Sequence, residues 1–160
     1  MTRFLSGAAA VAAALLISVL PASGQVVTMS ATLSGGEEVP ILLTGAVGTA
    51  VVSVDPTSQE LAVTLSLFNF STGTTAGHIH IAPKGISGPV VINFPIPTGR
   101  TGDLPLTFRV GTSAFVARPE IGIATMADAI QAIVGGNSYV NIHTSQFPAG
   151  EIRGQLTVAR

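Results

Sequence analysis

The feature that most constrains this chain is a period of two. Leu61, Val63, Leu65 and Leu67 alternate with Ala62, Thr64 and Ser66. Successive strand side chains point to opposite faces, so this run writes one apolar and one polar face. Before it, Gly48, Ala50, Val52 and Val54 share a face within the Thr44–Val54 run, and Asp55-Pro56-Thr57-Ser58 supplies turn chemistry between the two. Together they predict a hairpin. Further short runs read as strands at Val26–Leu33, Gly77–Ile81, Val90–Phe94, Leu104–Val110, Tyr139–Thr144 and Glu151–Val158, separated by Gly- and Pro-bearing breaks. One helix interrupts them. Thr125 and Asp128 form a capping-box pair, Ala127, Ile130, Ile133 and Val134 make an apolar stripe, and Gly135-Gly136 stops it. The pattern predicts an all-β fold: an antiparallel β-sandwich or barrel-like Greek-key module of seven or eight strands with one short crossover helix.

The first residues follow a different logic. Arg3 precedes an apolar stretch from Ala8 to Leu20, and Ala22-Ser23-Gly24 places small residues after Pro21. This is the layout of a secretory signal peptide, and it falls short of the roughly 20 apolar residues that span a bilayer. Residues 1–24 are therefore expected to be cleaved, with no permanent membrane anchor, and residues 25–160 to form one domain that is secreted or periplasmic. Cysteine is absent, which excludes disulfides, thiolate metal sites and cysteine nucleophiles and leaves stability to the core. With seven basic and eight acidic residues and no block of either sign, the chain carries no nucleic-acid footprint.

All three histidines fall in two strands. In Ala76-Gly77-His78-Ile79-His80-Ile81 the imidazoles oppose the isoleucines; in Tyr139-Val140-Asn141-Ile142-His143-Thr144, Asn141 and His143 oppose Val140 and Ile142. In the last strand Glu151, Arg153 and Gln155 oppose Ile152. If these strands are neighbours, their polar faces merge. His78, His80 and His143 could then converge on one zinc or copper ion with Glu151 as fourth ligand or as an acceptor that orients an imidazole, while Asn141, Arg153 and Gln155 complete the polar patch. A purely structural reading stands beside this, because His, Asn, Glu and Arg on the solvated face of a strand need no function.

Other signals are weaker. Glu37 and Glu38 are adjacent in a Gly/Pro loop and read as solvated carboxylates rather than a catalytic pair. No Gly-x-Ser-x-Gly elbow occurs, and Gly35-Gly36 lacks the helix and lysine of a phosphate loop.

Five blocks stand in a distinctive order: Leu33-Ser34-Gly35-Gly36-Glu37-Glu38-Val39-Pro40, Thr44-Gly45-Ala46-Val47-Gly48-Thr49-Ala50, Ala76-Gly77-His78-Ile79-His80, Tyr139-Val140-Asn141-Ile142-His143-Thr144 and Gly150-Glu151-Ile152-Arg153-Gly154-Gln155. Over about Ala31 to Val158 this resembles a CHRD domain, the module named after chordin. Ile41 and Ile81 stand where the family pattern often has a second proline and a glycine. The resemblance implies an extracellular or exported module and carries no catalytic residues with it.

With no organic nucleophile or acid–base pair in view, the leading expectation is a non-enzymatic exported module that binds a protein or a surface polymer or plays a structural part. The alternative is a mononuclear zinc or copper domain built on the His-x-His strand, with metal-dependent hydrolysis as its enzymatic extension.

Overall fold

The computed structural model describes residues 24–159, so the expected leader lies outside the described residues apart from Gly24. The strands are β1 (Val27–Ser34), β2 (Val47–Asp55), β3 (Glu60–Phe70), β4 (Thr74–Ile81), β5 (Val90–Phe94), β6 (Gly102–Val110), β7 (Ser138–Thr144), β8 (Ile152–Gln155) and β9 (Thr157–Val158); the α-helix α1 spans Met126–Val134. They form one antiparallel sheet in the order β5-β4-β7-β8-β1-β2-β3-β6, with β9 also on β1. The sheet curls into a nearly closed barrel. Its two ends meet where Phe94 of β5 packs on Phe108 of β6, ring centroids 5.2 Å apart, and Val116 N–H donates to the Val91 carbonyl at 2.9 Å.

Register explains the core. Ala50 lies opposite Leu65, Val52 opposite Val63 and Val54 opposite Leu61, so the alternation of both strands delivers these facing side chains to the interior and leaves Val51 and Phe68 exposed outside. Met29 and Leu33 of β1, Ile79 of β4, Val140 and Ile142 of β7 and Ile152 of β8 join them, all fully buried. Helix α1 sits in the connection from β6 to β7 and adds Met126, Ala129, Ile130 and Ile133 to the same core. Its start is the expected capping box: Thr125 Oγ1 accepts from Asp128 N–H, and Asp128 Oδ2 accepts from Thr125 N–H at 2.8 Å.

Several boundaries differ from expectation, β4 beginning at Thr74 and β6 at Gly102 among them, and two of the differences have a clear cause. The final run, read as one strand, divides at Leu156, whose N–H donates to the Ser138 carbonyl while its side chain enters the core; β8 pairs with β7, and β9 crosses to β1. The run read from Thr44 pairs only from Val47, because Thr44 turns inward to serve a buried carboxylate described below.

Candidate metal centre

Strands β4, β7 and β8 are consecutive neighbours. His78 lies opposite Asn141, His80 opposite Tyr139, and Asn141 opposite Arg153. The three polar faces therefore form one surface. Most of it is not solvated: every residue of β7 is buried on both sides, His80, Asn141, His143 and Arg153 are at most 8% exposed, and of the three imidazoles only His78 is half-buried. The cover comes from three loops. The Pro83–Pro89 segment reaches His80, the Ser145–Gly150 segment reaches His143, and the turn after β1 brings Glu38.

These loops set the imidazole tautomers. His80 Nδ1 donates to the Gly88 carbonyl at 2.9 Å, and His143 Nδ1 donates to the Pro148 carbonyl at 2.9 Å. Both Nε2 atoms are thereby left as bare lone pairs. The His143 lone pair accepts from His78 Nδ1 at 3.0 Å, whereas His80 Nε2 is buried with no partner. One nitrogen from each ring falls within 4.8 Å of the others. Metal–nitrogen bonds of about 2.1 Å need separations of at most about 4 Å, so small side-chain rotations would close the set.

Electrostatics keep the rings uncharged. Burial, then repulsion from His143 and His80, pulls His78 down to about 4. Burial also takes His80 to about 4, against the opposing pull of the Gly88 carbonyl. His143 is likewise lowered by burial, partly offset by its bond to Pro148. Neutral imidazole is the form that binds a metal ion. On one side His80 stacks on Tyr139, centroids 4.8 Å apart and planes at 10°, and the Arg153 guanidinium lies 4.0 Å from the centre of the same Tyr139 ring. Arg153 Nη2 also donates to the Ile86 carbonyl at 3.1 Å, pinning the loop that orients His80.

The remaining expected residues divide. Glu151 does not join the imidazoles, a correction to its reading as fourth ligand. Its carboxylate is fully buried, accepting from Thr44 Oγ1 and from Thr144 Oγ1 at 2.7 Å each. Both oxygens are committed to hydroxyls, so Glu151 ties the segment before β2 to the end of β7. Gln155 is a loop tie as well, donating through Nε2 to the carbonyls of Ala82 and Gly136 at 3.1 and 2.8 Å. Asn141 stays in the patch, between His78 and Arg153.

Glu38 is the residue that the sequence reading missed. Its neighbour Glu37 makes an exposed ion pair with Lys84 at 3.0 Å, as a loop carboxylate would. Glu38 is instead 7% exposed, and burial raises its carboxyl to about 7 against the pull of Arg153 and Asn141. Gly150 makes room for it. At φ 130° a β-carbon there would sit 2.6 Å from Asn141 Oδ1 and 2.8 Å from Glu38 Oε1. No periodicity exists in a Gly/Pro turn to announce such burial; the only signal was the Glu-Val-Pro block within the family-like pattern.

The CHRD domain profile matches residues 29–156, spanning the barrel from β1 through Leu156 and including every residue of the polar patch. The chain belongs to the CHRD domain family. No curated protein and no solved structure matched it. CHRD domains occur in extracellular and secreted proteins, and among the described residues no helix of this one is long and apolar enough to cross a membrane.

Proposed function

We propose that this CHRD domain is an exported metal-binding module that holds one zinc or copper ion through His78, His80 and His143. The observation that carries the reading is the tautomer pattern. Two backbone carbonyls occupy the Nδ1–H groups of His80 and His143, which is the support that metal-bound histidines require, and leave their Nε2 lone pairs beside His78. A buried acceptor without a donor, such as His80 Nε2, costs stability unless something fills it. An all-nitrogen set suits zinc and copper better than calcium or magnesium. Export is supported by the signal-like N-terminus and by the company that CHRD domains keep.

Elemental analysis of residues 25–160, purified without a histidine tag before and after chelation, tests the site. A stoichiometric ion that is lost in the triple His78→Ala, His80→Ala, His143→Ala variant supports it. An ion-free protein whose melting temperature ignores added zinc and copper refutes it.

A second reading, contact with a protein or surface polymer, is favoured by the outer face of β2, β3 and β6. Thr49, Val51, Thr64 and Thr107 are exposed there as a polar, β-branched patch bordered by the exposed Arg109–Glu60 ion pair. Co-sedimentation with cell-envelope polymer that survives in a Thr49→Lys, Thr64→Lys variant would count against that face.

A further inference from the structure

The centre offers an ion imidazole nitrogens and no negative charge. Among the described residues the groups that can close on one ion are His78, His80 and His143, with no carboxylate in the set. Glu151 is committed to Thr44 and Thr144, and Glu38 is hydrogen-bonded to Asn141.

The charges beside the centre are positive, and they stand on both flanks of His80. On the β7 side the Arg153 guanidinium lies against Tyr139, the ring that stacks on His80. On the β5 side Arg118 Nε donates to the Val90 carbonyl at 2.9 Å, and Val90 pairs with His80 across the β4–β5 ladder. Both guanidiniums repel positive charge at His80. Arg153 is buried and Arg118 half-buried, so solvent screens them weakly.

We propose that the three-histidine centre binds copper as the monovalent copper(I) ion in preference to a divalent ion such as zinc; this rests on the metal-site reading. Charge is the first reason. The cost of taking an ion out of water rises with the square of its charge, so a divalent ion costs about four times as much to bury as a monovalent one. Here no carboxylate offsets the second charge, and two guanidiniums oppose it. A unit charge roughly 10 Å away, at an effective dielectric constant of about 20, changes the binding of one added charge by at least about tenfold. Coordination is the second reason. Zinc fills a tetrahedron and copper(II) a four-cornered plane, each needing a donor beyond the three nitrogens, whereas the filled d shell of copper(I) is satisfied by three. Softness does not make the choice, because the chain has no cysteine and Met29 and Met126 lie in the apolar core.

The test uses residues 25–160 without a histidine tag, under nitrogen, with copper(I) supplied as its bicinchoninate complex and zinc as its pyridylazoresorcinol complex. Wild type should take one copper(I) per chain and hold it at least about 100-fold more tightly than zinc, about tenfold for each guanidinium. Arg153→Gln should narrow that ratio about tenfold, whereas Arg153→Lys, which keeps the charge and loses the planar fork, should preserve it. Circular dichroism reports whether these variants fold. Arg118→Gln, on the opposite flank, should narrow the ratio to the same extent, and it decides the matter if the Arg153 variants do not fold. Zinc held as tightly as copper(I), or a ratio unchanged in the folded glutamine variants, overturns the proposal and leaves the metal site standing. Failure of wild type to bind either ion overturns both.

Discussion

Acid should unfold the metal-free protein through its histidines, and His80 allows the size to be worked out. Unfolded, its imidazole titrates near 6.5; folded, burial takes it to about 4. Between those values the unfolded chain holds a proton that the folded one refuses, so the stability contributed by keeping His80 neutral is complete above 6.5 and is lost as pH falls towards 4. At about 1.36 kcal/mol per pH unit, the gap corresponds to about 3 kcal/mol. Glu38 acts with the opposite sign. Its carboxyl is raised from 4.5 to about 7, so its contribution is present below 4.5 and lost as pH rises through 7. A comparison between wild type and His80→Gln cancels that opposing term. Glutamine can still donate a hydrogen bond but cannot be protonated. Urea unfolding of both chelated proteins at pH 7 and pH 4 should show wild type losing about 3 kcal/mol more than the variant over that interval. A difference that stays constant with pH would mean that His80 titrates normally and is not held neutral by its burial, and the account of bare lone pairs would fail with it.

Three further outcomes follow from packing. Leu65→Ala removes a fully buried side chain set between Ala50 and Leu106 and should cost about 2–5 kcal/mol in urea unfolding; a loss under about 1 kcal/mol would show the barrel interior to be loosely packed. Gly154→Ala drives a methyl group into the Thr32 carbonyl oxygen at the β8–β1 seam, where backbone cannot yield cheaply, so the variant should lose more than the roughly 3 kcal/mol of an ordinary overpacked site; a native melting temperature by circular dichroism would refute the close approach. Thr144→Val leaves Glu151 Oε2 buried without its hydroxyl and should cost about 1–3 kcal/mol, recovered in the double variant with Glu151→Gln if the loss is electrostatic; a neutral Thr144→Val would show that the carboxylate finds another donor.

Local chemistry already specified much of this molecule. Alternation in Leu61–Leu67 and Gly48–Val54 determined two strands and their buried faces, because the two-residue period of a strand is a property of the backbone. Thr125 and Asp128 determined the start of α1, since a capping box is closed by residues three apart. Sorting His78, His80, Asn141 and His143 to one side of their strands was equally local.

Tertiary structure alone decided what that side became. Strand order brought β4, β7 and β8 together from distant parts of the chain, and covering loops turned a face that could have been solvated into a buried one. The same packing assigned the carboxylates: Glu151, two residues before Arg153, turned to Thr44 and Thr144, while Glu38, from a turn with no period to read, was buried beside Asn141. A strand's period states which side chains share a face. Which groups lie over that face, and so which nitrogens keep a free lone pair, depends on carbonyls at Gly88 and Pro148 that only the folded loops deliver.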